Sequence, residues 1–280
     1  MQIPEITIAE IIDRYAAILL DAYGVLVHTE GALEGATHLI DMLNRTGKTY
    51  YIVTNDASKL PQTSAAQFSR YGLNLQPEKI ITSGGLLNPY FAKHHLRNAR
   101  CVVMGPEDSI RYVELAGGRV VSASEAFDVL VVGDEAGYPF VETVDNVLSA
   151  IFRKIDRNEH LHLLLPNPDL IYPKAGRNVG ITSGSIAHIF EAALKQRYPN
   201  RPDLGFVRLG KPNAAIFKEA FRRCGHRSMV MIGDQPETDI HGANRMGIDS
   251  VLVTGTLTAS AEAFLEDGLR PTYHMRSLRP

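Results

Sequence analysis

The chain has 280 residues, of which 45% are hydrophobic and 21% charged, with a formal net charge of −2 at pH 7. This length suffices for two domains with sizeable cores, and the near-neutral charge gives no reason to expect nucleic acid or an anionic membrane as a partner. No apolar run approaches the length of a membrane span, and the N-terminal sequence does not have the pattern of a signal peptide. The two cysteines, Cys101 and Cys224, are far apart in sequence, which indicates a reducing cytoplasm.

Short apolar runs alternate with amphipathic segments of helical length, which predicts an α/β fold with parallel strands and crossover helices. In the first part of the chain, Gly47 and Gly72 are expected to end helices, and Pro61 is expected in the first turn of one. The elements predicted there are a strand within 16–26 that ends near Asp21, a helix at 36–47, a strand at 49–56, a helix at 59–72 and a strand at 79–83.

A second α/β series is predicted after Ser83, and the segment 198–205 has the composition of a linker. Its predicted elements are strands at 99–105, 127–133 and 161–167 and helices at 142–156 and 183–198. The last part of the chain returns to the first pattern, with helices at 211–225 and 238–247 and strands at 228–234, 249–255 and 272–276. The sequence therefore predicts a Rossmann-like parallel-sheet core made of 1–82 and 205–280, with a large α/β cap domain inserted at 83–204.

Polar residues end the strands before residue 83 and after residue 205, namely Asp21, Thr54 with Asn55, and Asp234. Ligands bind at the carboxyl ends of strands in an open parallel sheet, so these residues are expected at one edge. Asp21 follows four apolar residues and precedes Gly24, which favours a carboxylate nucleophile and metal ligand. The alternative is an aspartate that starts a turn.

Two more carboxylates, Asp234 and Asp239, are predicted beside Asp21, and three oxygen ligands suit Mg²⁺. The alternative is helix capping, which Glu237 or Thr238 could provide instead.

Lys211 precedes a predicted helix, where a cation opposes the helix dipole, so a carboxylate or phosphate partner is expected. Thr54 and Asn55 at a strand end make a candidate phosphate cradle. A solvated lysine and an ordinary loop are the alternatives. Asn167 lies in a loop-like stretch that could face a ligand, and His160 with His162 form a period-two pair on one face of a strand.

Taken in order, these pieces resemble the four motifs of the haloacid dehalogenase (HAD) superfamily. The motifs are Asp21-Ala22-Tyr23-Gly24-Val25, Val53-Thr54-Asn55, Gly210-Lys211-Pro212, and Gly233-Asp234 with Thr238-Asp239. The large insertion resembles the cap of the class IIA branch, which includes NagD-like sugar- and nucleotide-phosphate phosphatases. Three cap features match that branch: NPD at 167–169, SGSI at 183–186, and VVG followed by Tyr138.

This resemblance implies a Mg²⁺-dependent hydrolase of small phosphorylated metabolites. Asp21 would attack phosphorus and form an aspartyl-phosphate, and Thr54 and Lys211 would hold the phosphoryl oxygens, with Asn55 and Asn167 also binding substrate. The metal ligands would be Asp21, the backbone carbonyl of Tyr23, Asp234 and Asp239. Phosphoryl transfer fits such a site, because it needs mainly positioning and electrostatic stabilisation. Cap loops near Tyr138, Asn167 and Ser183 would set specificity.

The sequence departs from the family pattern at Tyr23, where typical phosphatases of this superfamily carry a second Asp that acts as acid and base. Tyrosine, with an unperturbed pKa near ~10, is a poor base at neutral pH. Asp56 also replaces the second Asn of the usual Thr-Asn-Asn and is an alternative source of the carboxylate.

Three functions therefore compete: a phosphatase with a weakened acid/base step, a catalytically silent protein that binds a phosphorylated metabolite, and a dehalogenase-like hydrolase without Mg²⁺. The retained Asp234 and Asp239 argue against the last, because a metal-free site would gain only repulsion from them. The sequence leaves the substrate and the oligomeric state open, a homo-oligomer included.

Overall fold

The computed structural model describes residues 3–174, 178–254 and 268–279. The described residues divide into two compact units. The first unit takes residues from 1–54, 61–81 and 211–280, and the second takes 55–60 and 82–210. The second unit is therefore inserted into the sequence of the first.

The strands are numbered in chain order. They are β1 (Ala17–Leu20), β2 (Val27–His28), β3 (Gly31–Ala32), β4 (Thr49–Thr54), β5 (Ile80–Thr82), β6 (Arg100–Met104), β7 (Arg119–Val120), β8 (Val129–Val132), β9 (His162–Leu165), β10 (Ile171–Pro173), β11 (Val179–Ile181), β12 (Val207–Arg208), β13 (Met229–Gly233), β14 (Asp249–Val253) and β15 (Tyr273–Met275).

The α-helices are numbered in the same way. They are α1 (Ile8–Arg14), α2 (Ala36–Thr46), α3 (Pro61–Arg70), α4 (Leu87–Lys93), α5 (Glu107–Leu115), α6 (Phe140–Asp156), α7 (Ser183–Arg197), α8 (Ala214–Cys224) and α9 (His241–Arg245). Among the described residues, no helix is both long and apolar enough to cross a membrane.

The first unit is built on a six-stranded sheet with the order β15-β14-β13-β1-β4-β5. The strand β1 lies between β13 and β4 and is parallel to both, with Leu20 level with Ile232 and Ile52. Every residue of β1 and β13 is buried, as expected for parallel strands covered on both faces. Because these neighbouring strands run in the same direction, the residues that follow them meet at one edge of the sheet.

The second unit has its own parallel sheet, with the order β12-β9-β8-β6-β7. Its core is formed by apolar residues of these strands together with α6 and α7, including Val147, Ile151, Ile186 and Phe190. A separate antiparallel hairpin, β10–β11, follows β9. The predicted second α/β series is confirmed.

Some helix and strand boundaries lie at residues, such as glycine and proline, that favour the start or end of an element. Gly47 adopts φ +65° after α2, so the predicted stop is confirmed, and Pro61 is the first residue of α3. The predicted last edge strand is β15. The strand predicted at 249–255 is β14, and Gly255 lies outside the described residues.

Several predicted boundaries differ from the structure. The helix predicted to begin near Pro212 begins at Ala214, with Asn213 as its N-cap. The helix predicted from Thr238 begins at His241, because Pro236–Ile240 forms a wider π-helical turn. The segment at 198–205 is not the border of a unit, since β12 follows it and pairs with β9 of the second sheet.

The predicted cap boundaries at 83 and 205 therefore differ from the division at 82–210, and the short segment 55–60 also belongs to the second unit. Hydrogen bonds explain the latter placement. The Ser109 hydroxyl donates to the carbonyl of Ala57 at 2.7 Å, and the Tyr112 hydroxyl donates to the carbonyl of Lys59 at 2.6 Å.

Candidate active site

Asp21 begins a tight turn directly after β1. Its backbone N–H continues the sheet by donating to the carbonyl of Ile232 at 2.9 Å. Its Oδ1 accepts the backbone N–H of Ala22 at 2.8 Å. The turn closes through the N–H of Leu26, which donates to the carbonyl of Ala22 at 2.9 Å, and the N–H of Gly24, which donates to Val27 at 2.9 Å. The carboxylate is therefore held on a fixed backbone and is only 5% exposed.

Gly24 is required in this turn for two physical reasons. Its φ is +89°, in the left-handed region where a side chain is strained. A Cβ at this position would lie 2.0 Å from Oδ2 of Asp234. The absence of a side chain therefore lets the turn approach the second carboxylate. The neighbouring Tyr23 is half-buried and packs against the hydrophobic core of the first unit.

Asp234 and Asp239 are positioned by the end of β13 and the turn that follows it. The N–H of Asp239 donates to the carbonyl of Gln235 at 2.9 Å, and Oδ2 of Asp239 accepts the N–H of Gln235 at 3.2 Å. A Cβ at Gly233 would lie 2.3 Å from the side chain of Asp239, so this glycine also allows a close approach. Both carboxylates are fully buried at 0% exposure.

Lys211 joins two of these carboxylates. Its Nζ donates to Oδ1 of Asp21 at 2.6 Å and to Oδ1 of Asp239 at 2.7 Å, and the lysine is only 3% exposed. Lys211 was expected to have a carboxylate or a phosphate partner, and the structure gives it two carboxylates, so the alternative of a solvated loop lysine is wrong. Thr54, 5% exposed, ends β4 beside β1.

The electrostatics of this cluster follow from burial. Burial raises the pKa of Asp21 well above its ordinary value, and the nearby charges of Asp239 and Asp234 raise it further, against the opposing effect of Lys211. Burial alone would lower the pKa of Lys211, but Asp21 and Asp239 outweigh it and raise that pKa. The cluster therefore holds more negative charge than its lysine offsets.

The donor set fits a hard divalent cation. One carboxylate oxygen from each of Asp21, Asp234 and Asp239 lies within 4.8 Å of the others. Carboxylate oxygens are the ligands that Mg²⁺ prefers. Three carboxylates and one ammonium leave two negative charges, which one such cation would balance. Simple capping does not explain why three acids are buried together.

The second unit contains the other predicted substrate residues. Asn55 is 4% exposed, and its Nδ2 donates to Oδ1 of Asp169 at 2.8 Å. Asn167 accepts the backbone N–H of Asp169 through its Oδ1 at 3.0 Å. Both predicted substrate ligands thus take part in one hydrogen-bonded group centred on Asp169. Asp169 was not predicted as a site residue, although the NPD motif contains it.

Asp56 is held by its own loop. Its Oδ1 accepts the N–H of Ser58 at 2.7 Å, the hydroxyl of Ser58 at 2.8 Å and the N–H of Lys59 at 3.1 Å. Its Oδ2 pairs with Nζ of Lys59 at 3.2 Å. This arrangement is typical of a turn-forming aspartate and explains the residue without a catalytic role.

The predicted histidine pair is only partly correct. His162 begins β9, whereas His160 lies before the strand. Nδ1 of His162 lies 3.1 Å from the hydroxyl of Tyr90, and its ring meets that of His94 edge-on at 5.6 Å. These contacts are typical of surface aromatic side chains whose hydrogen-bonding groups have partners within the protein.

Family models match two stretches of the chain. A model described as haloacid dehalogenase-like hydrolase matches residues 18–119, and a second, of HAD-hydrolase-like proteins, matches 208–280. These two stretches carry all four motifs. The chain belongs to the haloacid dehalogenase superfamily. The predicted membership is therefore confirmed, and the relatives support its class IIA branch.

Three relatives and solved structures extend the match to almost the whole chain. A dihydroxyacetone phosphatase from Corynebacterium glutamicum is 26% identical over 262 residues, 93% of this chain and 88% of the relative. A "possible sugar phosphatase" of the HAD superfamily from Cytophaga hutchinsonii has a TM-score of 0.85 and 26% identity, covering 100% of this chain and 99% of its own. A glycerol phosphate phosphatase from Mycobacterium tuberculosis in complex with magnesium has a TM-score of 0.80 and 25% identity, covering 96% and 77%.

Proposed function

We propose that this HAD protein is a Mg²⁺-dependent phosphatase of small phosphorylated metabolites that works through an aspartyl-phosphate on Asp21. One observation carries the proposal: Lys211 bridges Asp21 and Asp239 in a buried site with Asp234 beside them. The phosphatase names of the relatives support the reaction type. The first unit would supply the chemistry, and the inserted second unit would serve as the cap.

In the proposed reaction, a carboxylate oxygen of Asp21 forms a bond to phosphorus, and the bond to the ester oxygen breaks. The ester oxygen takes a proton from solvent and leaves as an alcohol. The oxygen of a water molecule then forms a bond to phosphorus, the bond from phosphorus to Asp21 breaks, and phosphate leaves while the proton of that water goes to solvent. Lys211 offsets the charge of Asp21 and Asp239, and Thr54 would contact the phosphoryl group. A bound Mg²⁺, held by Asp21, Asp234, Asp239 and the Tyr23 carbonyl, would supply charge neutralisation at the phosphoryl oxygens.

The proposal also predicts that the two chemical steps differ in rate. General acid–base help typically contributes ~10²–10⁴-fold. The half-buried Tyr23 occupies the place of the usual acid/base, and the carboxylate of Asp56 is held within its own loop. An aryl phosphate has a good leaving group, so attack by Asp21 proceeds, whereas water attack on the intermediate is slow.

The test is rapid-quench kinetics with p-nitrophenyl phosphate and Mg²⁺, with intact-mass detection of phosphate on the protein. We expect a burst of nitrophenol followed by slow turnover, and loss of both in Asp21→Asn. Tyr23→Asp should speed the slow phase, whereas Tyr23→Phe, which keeps the ring, should behave as wild type. Asp41→Asn, on the exposed face of α2, is the control.

Each alternative function has its own outcome. Phosphate binding without any turnover would identify the silent binding protein, which the departure at Tyr23 favours. Hydrolysis of a haloacid that survives EDTA would identify the dehalogenase-like reaction. Steady turnover without a burst, unchanged in Tyr23→Asp, would refute the slow second step.

A further inference from the structure

The chain crosses between the two units beside two residues of the proposed site. Of the four crossings, these two are Thr54–Asn55 and Gly210–Lys211. Thr54 is proposed to contact the phosphoryl group, and Lys211 is proposed to offset the charge of Asp21. Their direct neighbours in sequence, Asn55 and Gly210, belong to the second unit. Whatever fixes these two neighbours therefore limits how far Thr54 and Lys211 can move.

Within the second unit, Asn55 and Gly210 lie against each other. A Cβ on Gly210 would lie 2.4 Å from Oδ1 of Asn55 and 2.7 Å from the carbonyl oxygen of Pro166. The N–H of Gly210 donates to that same carbonyl at 2.9 Å. The φ of Gly210 is not in the left-handed region, so close packing, rather than backbone conformation, explains this glycine.

The other side of Asn55 is held by Asp169. This hydrogen bond, 2.8 Å long, joins residues 114 positions apart. Asp169 is itself fixed through its backbone: its N–H donates to Asn167, and its carbonyl accepts the N–H of Gly184 at 3.0 Å and the hydroxyl of Thr182. A Cβ at Gly184 would lie 2.4 Å from the Asp169 carbonyl oxygen, so the start of α7 packs directly on this loop.

We infer that Asp169 is a positioning residue: through the Asn55 amide and the adjoining Gly210, it fixes the two chain segments that carry Thr54 and Lys211. This inference rests on the proposed function. It also gives Asn55 a different task from the predicted phosphate contact, because the side-chain amide nitrogen is directed to a carboxylate. A misplacement of about 1 Å in a catalytic group can cost ~10²-fold in rate.

The decisive experiment exchanges donor and acceptor. Asn55→Asp replaces the amide nitrogen with oxygen and places two carboxylates against each other, so we expect kcat on p-nitrophenyl phosphate to fall ~10–100-fold. Asp169→Asn keeps an acceptor for Asn55 and should retain at least about half of the activity. The double variant Asn55→Asp/Asp169→Asn rebuilds the bond in reverse, and its kcat should return to within about threefold of wild type.

Two further measurements separate positioning from loss of structure. Mg²⁺ affinity, measured by calorimetry, should stay within about twofold of wild type in every variant, because Asp21, Asp234 and Asp239 belong to the first unit. Asp156→Asn is the matched control, since this aspartate of the second unit pairs with Arg197 on the surface. It should leave kcat unchanged.

If the double variant is no more active than Asn55→Asp, the inference is wrong, and direct phosphate binding by the Asn55 amide is favoured. If wild type does not hydrolyse the ester, the proposed function fails first. In that case the affinity for inorganic phosphate is measured with Mg²⁺ present, on wild type and on the same three variants, and the same order of effects is expected. Rescue of that affinity in the double variant supports the positioning role, and no rescue or no phosphate binding overturns it.

Discussion

Replacement of Lys211 by methionine removes the one ammonium placed between Asp21 and Asp239. In the structure its Nζ lies 2.6 and 2.7 Å from their oxygens, and the three side chains are 3%, 7% and 0% exposed. Methionine is similar in length and uncharged, so it keeps much of the packing volume. The change therefore leaves buried carboxylates without their cation.

The magnitude follows from burial. Removing one partner of a buried ion pair typically costs about 3–5 kcal/mol, because the remaining charge stays desolvated. For a domain-sized protein each kcal/mol lowers Tm by roughly 2–4 °C, so the expected fall is roughly 6–20 °C in EDTA. Bound Mg²⁺ would replace part of the missing positive charge. Mg²⁺ should therefore raise the Tm of Lys211→Met by more than it raises that of wild type.

The assay is a calorimetric scan of both proteins at pH 7.5, in EDTA and in saturating Mg²⁺. Lys154→Met is the matched control. Lys154 also has two carboxylate partners, Asp128 and Glu159, but these are 37% and 43% exposed. Partly solvated pairs contribute about 0–1 kcal/mol, so the control should lose only a few degrees. If Lys211→Met unfolds within about 2 °C of wild type in EDTA, the buried-cluster reasoning is wrong.

Three further results are expected. Asp234→Asn should weaken Mg²⁺ binding measured by calorimetry by at least ~10-fold, and unchanged affinity would argue against the metal site. Gly24→Ala should abolish Mg²⁺ binding because its Cβ would lie 2.0 Å from Asp234, whereas Gly47→Ala, where the space is open, should cost only roughly 1–2 kcal/mol of unfolding free energy. Burial raises the pKa of Cys101 to about 12 and that of Cys224 to about 11. Neither thiol should therefore react with Ellman's reagent at pH 8 until urea is added. Rapid labelling of the native protein would contradict the burial of these thiols.

The sequence predicts best those features that depend on local chemistry. The alternation of apolar runs and helices identifies both sheets, and Gly47 and Pro61 mark helix ends as expected. The helix α1 was not predicted, although Thr7 and Glu10 form a capping box, a recognised start signal that the sequence contains. The sequence therefore does contain the signal for this helix.

Other features could not be read from the sequence because they depend on distant contacts. The strand β12 has two residues, and only its pairing with β9 makes it a strand. Its position moves the edge of the second unit from 205 to 210. The bond of Asn55 to Asp169 joins two polar loop residues, each of which has many other partners in principle. By contrast, the charge of Lys211 before a helix was itself unfavourable enough to predict an anionic partner, either a carboxylate or a phosphate.

Tyr23 and Asp56, the two predicted departures from the family motifs, have a common physical consequence. An acid/base group must reach the proton that it transfers and must exchange that proton near neutral pH. Tyr23 packs its ring on the core, and an ordinary tyrosine exchanges its proton near ~10. Asp56 does have a carboxylate, but four donors from Ser58 and Lys59 hold it within its own turn.

Neither residue therefore supplies what a second aspartate would supply, whereas the proposed nucleophile Asp21, Lys211 and the acidic cluster are all present. In the proposed reaction, attack on phosphorus depends on these groups, and release of phosphate from Asp21 depends on the acid/base group that Tyr23 replaces. A site with these residues is expected to form the aspartyl-phosphate more readily than it hydrolyses it. In the proposed reaction, the tyrosine at position 23 would therefore control the lifetime of the aspartyl-phosphate rather than the rate of its formation.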